Sequence, residues 1–201
     1  MPRPPSTYHL TTLGCPKNEV DSDKLGALLA ADGLDPVDDV GAADVVVVNT
    51  CAFIEEARAE SIDTILAVAA RRRPGAQLVV TGCLAERHGT ELAAELAEVD
   101  LVAPFGAALR SREGSTSVPV ELGPVRRAPD FDLLNLPRPK SPRPWAYVKI
   151  AEGCDRACGF CAIPSFRGPQ RSRSITQILG EVEQLEARDR ARRPGPRRLR
   201  S

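Results

Sequence analysis

The chain has no net charge: 27 Lys and Arg residues balance 27 Asp and Glu. That leaves no general attraction to nucleic acid or an anionic membrane, so direct nucleic-acid binding is not expected. No apolar run is long enough to span a bilayer, and no membrane association is expected. Met1-Pro2-Arg3-Pro4-Pro5 lacks the apolar stretch of a secretory signal. Histidine is scarce. His9 and His88 stand in no recognisable motif, and both read as structural. The apolar fraction, 42%, is ordinary, so 201 residues suffice for one good domain, or for a domain and a fragment.

Six cysteines could make three disulfides. Without an export signal the expected compartment is the reducing cytoplasm, where cysteines more often serve as ligands or nucleophiles. Three of them, Cys154, Cys158 and Cys161, form a C-x3-C-x2-C run on one loop. A structural zinc wants four protein ligands, and an ordinary four-iron cluster wants four cysteines. Three leave one iron open to a substrate or cofactor. A zinc knuckle completed by a remote His, or three unligated thiols, are the plainer alternatives.

The rest of the chain falls into four parts. Residues 1–112 alternate between strand and helix patterns. Strands are expected at 8–13, 44–49, 77–81 and 99–103. Helices are expected at 21–32, capped by Asp21 or Ser22, at 54–72, and at 87–97. The second helix should turn Ile54, Ile62, Ile65, Leu66 and Ala69 inward. Four consecutive valines within 44–49 suit a strand buried on both faces, as a parallel sheet requires. The rhythm predicts an α/β fold with an open parallel sheet and right-handed crossovers. Residues 113–144 are proline-dense and read as a linker or arm. Residues 145–187 resume with a strand at 145–151, the cysteine loop, and a helix at 174–187 capped by Ser174 or Thr176. That helix should carry Ile175, Ile178, Leu179, Val182 and Leu185 on one face. Residues 188–201 are dominated by Arg and Pro without apolar periodicity, and read as a disordered tail.

Cys15, Cys51 and Cys83 repeat one arrangement: each directly follows an expected parallel strand. Ligands of open α/β sheets bind beyond the carboxyl ends of the strands. Neighbouring strands lie about 4.8 Å apart, so the three can converge. Gly14 and Gly82 allow tight turns before two of them. A lone cysteine here would read as a small buried hydrophobe; three at the same sheet end read as ligands.

The C-x3-C-x2-C run resembles the signature of the radical S-adenosylmethionine (SAM) enzymes. Together with the strand-end cysteines it resembles the methylthiotransferases, from about Thr7 to about Ala187. Leu13-Gly14-Cys15-Pro16-Lys17-Asn18, Val48-Asn49-Thr50-Cys51-Ala52-Phe53-Ile54, Val80-Thr81-Gly82-Cys83-Leu84 and the stretch from Ala151-Glu152-Gly153-Cys154 to Ser165-Phe166-Arg167-Gly168 carry the likeness. Pro16-Lys17 and Ser165-Phe166 look like the branch that modifies an aspartate of small-subunit ribosomal protein twelve rather than the branch that modifies transfer-RNA adenosine. The resemblance implies a methylthiotransferase N-terminal domain followed by the start of a radical SAM (β/α) partial barrel. It also implies two 4Fe-4S clusters, on Cys15, Cys51 and Cys83 and on Cys154, Cys158 and Cys161. One SAM would donate a methyl to sulfur held at the first cluster. A second, at the other cluster, would be split reductively to a radical that removes hydrogen from the aspartate β-carbon, with electrons from a separate donor.

Other residues carry weaker expectations. In related enzymes an aromatic at the place of Phe160 lies beside the SAM adenine; it could instead pack over the cluster. Arg167, Arg171 and Arg173 read first as a solvated run, and second as partners of the SAM carboxylate or substrate. Lys17 and Asn18 could position sulfur or substrate, or cap the following helix. The pattern then breaks. The rest of the SAM barrel and the small β-barrel domain that the resemblance leads one to expect do not follow Ala187, and the tail has the composition of a shifted frame in a high-GC gene. The chain is therefore expected to be a truncated version that binds iron but makes little product, with bare apolar helix faces. A non-catalytic iron–sulfur or zinc-binding fragment is the alternative from another class.

Overall fold

A computed structural model describes residues 5–105, 134, 136, 138 and 145–190. The elements are β1 (Thr7–Thr12), α1 (Pro16–Ala31), β2 (Asp35–Pro36), β3 (Val45–Thr50), α2 (Glu55–Arg71), β4 (Gln77–Gly82), α3 (Cys83–Glu95), β5 (Leu101–Ala103), β6 (Ala151–Glu152), α4 (Ile163–Arg167), β7 (Arg171–Ser172) and α5 (Ile175–Arg190).

The expected open parallel sheet is present, with five strands in the order β2-β1-β3-β4-β5, every pair parallel. The two-residue edge strand β2 was not anticipated, because Asp35-Pro36 has no strand character of its own. All six residues of β3 are buried. Successive side chains point to opposite faces, and the valines divide accordingly. Val45 and Val47 pack with Leu25 and Leu29 of α1. Val46 and Val48 pack with Ile65 and Val68 of α2 and Leu84 and Leu92 of α3. Helices thus cover both faces of the sheet. With this strand order the chain reverses its direction of winding between β1 and β3, the switch point at which such sheets open a crevice.

Several helix boundaries and faces differ from expectation. Helix α1 starts at Pro16, five residues early, with Cys15 at the N-cap position; Asp21 and Ser22 are buried inside it and cap nothing. In α2 the inward residues are Ser61, Ile65 and Val68, while Ile54, Ile62 and Leu66 are exposed. Helix α3 begins at Cys83 rather than near Arg87. The expected strand over 145–151 survives only at Ala151, where β6 pairs with β7 in an antiparallel ladder of two residues. Ser174 does cap α5: its Oγ accepts from the Gln177 amide and the Gln177 side chain accepts from the Ser174 amide, a reciprocal capping box. On the apolar face of that helix Ile175, Leu179 and Val182 are exposed and Ile178 and Leu185 half-buried; among its described side chains Glu181 is the buried one, and it pairs with Arg173.

Most of the proline-dense stretch, the expected boundary near residue 112 and residues 191–201 lie outside the described residues. Of that stretch, Leu134 is buried, Leu136 packs beside the α1 layer, and Arg138 pairs with Asp23 and Glu181, so these three do join the core. Among the described residues no helix is long and apolar enough to cross a membrane.

Leu78 in β4 is fully buried between β3 and the α2/α3 layer. Leu78→Ala should cost about 2 to 5 kcal/mol of stability in urea titrations. Lys24 is also fully buried, and its ammonium donates to the Leu134 carbonyl at 2.8 Å. Burial pulls its pKa down from 10.5 to about 8, with Arg173 and Lys149 pulling the same way and Glu181 opposing. Between those two pH values the unfolded chain binds the Lys24 proton and the folded chain releases it, so this group favours folding more as pH rises. Measured against Lys24→Met, the wild-type chain should gain relative stability from pH 8 to 10.5 and show no such gain from pH 6 to 7.5.

Candidate metal centres

The carboxyl ends of β1, β3 and β4 deliver Cys15, Cys51 and Cys83 to one rim, at and beside the switch point. Cys15 is exposed; Cys51 and Cys83 are buried; all three are free thiols. Two glycines make the convergence possible. Gly14 has φ +86°, and a Cβ there would lie 2.6 Å from Cys51 Cβ and 2.7 Å from its Sγ. Gly82 has φ +94°, and a Cβ there would strike the Asn49 side chain and sit 2.5 Å from the Thr50 carbonyl.

A belt of buried polar side chains braces the strand ends. Asn18 Nδ2 donates to the carbonyls of Leu13 and Thr50 at 2.9 and 2.8 Å. Asn49 Nδ2 donates to the Asn18 carbonyl and to Ser22 Oγ. Ser61 Oγ accepts from the Cys51 amide at 3.0 Å and donates to the Cys51 carbonyl at 2.9 Å. Nothing in the local sequence around Ser61 signals this role; the only clue is a polar residue at a helical spacing from Ile65 and Val68. Asn18, read as a possible cap or positioning residue, is a brace. His9 and His88 are structural as expected: His9 pairs with the Val37 carbonyl and Thr11, and His88 with Glu91.

The second cysteine set lies on the loop between β6 and α4. Gly153 has φ +75°, and a Cβ there would collide with the backbone of Gly168 and Pro169. The Cys154 amide donates to the Gly168 carbonyl at 3.1 Å, and the Cys161 amide to the Cys158 carbonyl at 3.1 Å. Cys158 is exposed; Cys154 and Cys161 are half-buried. Phe160 is 95% exposed, so its ring does not pack over the loop.

A buried ionic knot ties this loop to the first site. Lys149 Nζ lies 2.5 Å from both Asp21 Oδ1 and Glu152 Oε2. Arg167 Nη1 lies 2.9 Å from Asp21 Oδ2 and 3.1 Å from Glu152 Oε2. Its other nitrogen, Nη2, donates to Asn18 Oδ1 at 2.5 Å and to Cys83 Sγ at 3.2 Å. The guanidinium also lies over the Phe105 ring, 4.8 Å from its centroid. Lys17 reaches across from α1 to the Ala151 carbonyl and Glu152. Arg167 and Arg173 are therefore buried and paired, not part of a solvated run: Arg167 with Asp21 and Glu152, Arg173 with Glu181.

These contacts set the local charge states. Burial would raise Glu152, but Arg167, Lys149 and Lys17 outweigh it and hold the carboxylate at about 2. Burial works against the Arg167 charge, and Asp21, Cys83 and Glu152 overcome it, lifting the pKa above the ordinary arginine value. Burial pushes the Cys83 thiol up to about 11; Arg167 opposes, while Cys51 and Cys15 add to the push.

Among the described residues no three His, Cys, Asp or Glu side chains are grouped around a single metal position. A lone zinc needs every sulfur at about 2.3 Å. A cluster spreads its cysteines over several irons. Three free thiols along one rim, cleared by two glycines and faced by a guanidinium, fit the donor chemistry of a cluster.

Residues 7–104 match the model of UPF0004, described as an uncharacterized protein family. Three curated relatives are all named ribosomal protein uS12 methylthiotransferase RimO. The Myxococcus xanthus protein is 46% identical over 187 residues, which are 90% of this chain and 39% of the relative. The Desulfosudis oleivorans protein is 45% identical over 191 residues, 89% and 42% of the two chains. The Thermotoga maritima protein is 47% identical over 182 residues, 88% and 41%. The likeness runs over about nine tenths of this chain, which spans about two fifths of the length of these relatives.

The glycines give a test of the rim geometry. Gly75 shares the positive φ of Gly14, at +83°, but nothing lies within 4 Å of a Cβ there. Gly75→Ala should therefore carry only the backbone cost, about 1 kcal/mol, whereas Gly14→Ala should lose measurably more, because Cys51 must also move. Thermal unfolding of the two variants reads the difference.

Proposed function

We propose that this chain supplies both cysteine sites of a radical SAM methylthiotransferase. The substrate would be small-subunit ribosomal protein uS12, modified at the β-carbon of an aspartate. The observation that carries the reading is the convergence of Cys15, Cys51 and Cys83 on one sheet rim, with Arg167 from the C-x3-C-x2-C region hydrogen-bonded to one of them. The names of the relatives supply the substrate.

Cys15, Cys51 and Cys83 would hold one 4Fe-4S cluster. Cys154, Cys158 and Cys161 would hold the other, which leaves an iron open for SAM. When bound, the clusters and SAM would supply the methyl group, the sulfur anchor and the radical chemistry. The chain's own residues do the placing. Gly14 leaves room for the Cys51 side chain, and Gly82 lets its strand end pass close to Asn49 and Thr50. Ser61 fixes the Cys51 backbone. The ionic knot holds the SAM-side loop against the rim, and the exposed Phe160 ring is available to stack beside the adenine. Cleavage requires an external electron donor, and the setting is cytoplasmic.

Anaerobic reconstitution should give brown protein with about eight irons per chain. Cys15/Cys51/Cys83→Ala and Cys154/Cys158/Cys161→Ala should each retain about half of that iron. Colourless, zinc-loaded protein, or loss of all iron from one triple substitution, would contradict the two-cluster reading. In the source organism, the genomic Cys15/Cys51/Cys83→Ala allele should yield uS12 without its methylthio mass gain; an unchanged mass gain would remove the substrate assignment.

A further inference from the structure

Arg167 divides its two terminal nitrogens between two tasks. Nη1 serves the carboxylates of Asp21 and Glu152. Nη2 serves Asn18 and the sulfur of Cys83. The side chain is 5% exposed, so neither contact is diluted by water. A hydrogen bond and a positive charge at a cluster sulfur stabilise the reduced cluster, because reduction adds negative charge to sulfur as well as iron.

Resting on the reading that Cys15, Cys51 and Cys83 hold a cluster, we propose that Arg167 is a positioning residue that raises the reduction potential of that cluster through Cys83. It does so from the end of α4, six residues after Cys161. The residue that closes the SAM-side loop therefore tunes the other site, and movement of that loop changes the first cluster electrically without any shared ligand. Lys149 provides the natural contrast. It belongs to the same ionic knot, bonded to Asp21 and Glu152, but its recorded bonds include none to a cysteine sulfur.

The test is a redox titration of the reconstituted chain in the Cys154/Cys158/Cys161→Ala background, so that only the cluster on the sheet rim is read. Arg167→Lys keeps the charge that Asp21 and Glu152 need, but one ammonium cannot also span to Cys83; Arg167→Met removes both contacts. Each should lower the reduced-to-oxidised ratio at a fixed applied potential about tenfold, equivalent to about 59 mV for a one-electron couple. Lys149→Arg, which keeps the charge balance of the knot and leaves Arg167 in place, should change that ratio less than about twofold, which is under 20 mV on the same scale. Should Arg167→Met not fold, Arg167→Lys carries the comparison. An unmoved potential in the Arg167 variants with the cluster intact would overturn the proposal, and so would an equal shift in Lys149→Arg, which would mean a general loosening. If the background protein takes up no cluster, the reading of Cys15, Cys51 and Cys83 as ligands fails first and this role fails with it; an intact cluster with an unmoved potential removes only the Arg167 role.

Discussion

Four buried charges hold this structure together: Asp21, Lys149, Glu152 and Arg167, none with a side chain more than 9% exposed. Taking such groups out of water costs several kcal/mol per ion, and their attraction repays it only when geometry is good and every member is present. Two carboxylates and two cations satisfy that condition by charge. They come from α1, from the segment before β6, from β6 and from α4, so their joint satisfaction fixes the cysteine loop against the sheet rim. Removing any one leaves an uncompensated buried charge, typically a loss of about 3 to 5 kcal/mol. An apolar interface of the same size would be less exacting about register. Here the register decides whether Arg167 reaches Cys83.

The sheet supplies the other half of the arrangement. A strand order that reverses between β1 and β3 opens the crevice; β1 ends three residues before Cys15, and β3 and β4 end at the residues just before Cys51 and Cys83. The turns that follow are tight enough to need left-handed backbone at Gly14 and Gly82. Chemistry and fold therefore meet at single residues: Cys15 is the N-cap position of α1, and Cys83 opens α3.

The sheet was largely legible in the sequence. The valine run of β3 could only be a strand buried on both faces, and Gly-Cys after two strands marked the rim. What local rules misread has a common cause, namely buried polar partners in other elements of the fold. Asp21 looks like a helix cap because acidic residues favour that position, yet it sits mid-helix to meet Lys149 and Arg167. Arg167 and Arg173 look solvated because arginine runs usually are, yet Glu152 and Glu181 bury them. Helix α2 turns Ser61 inward and leaves Ile62 and Leu66 exposed, because Ser61 holds the Cys51 backbone. In each case a polar contact to another element overrode the local pattern. Phe160 is the reverse: its motif is legible, and its ring is 95% exposed.

The central claim is that strand-end thiols and loop thiols form two separate iron sites facing each other across the ionic knot. Iron anomalous diffraction from crystals of the anaerobically reconstituted chain addresses it directly. Two separate iron peaks are expected, one bounded by Cys15, Cys51 and Cys83 beside Arg167, the other by Cys154, Cys158 and Cys161. A single peak shared by both cysteine sets, or none at the sheet rim, would contradict the account.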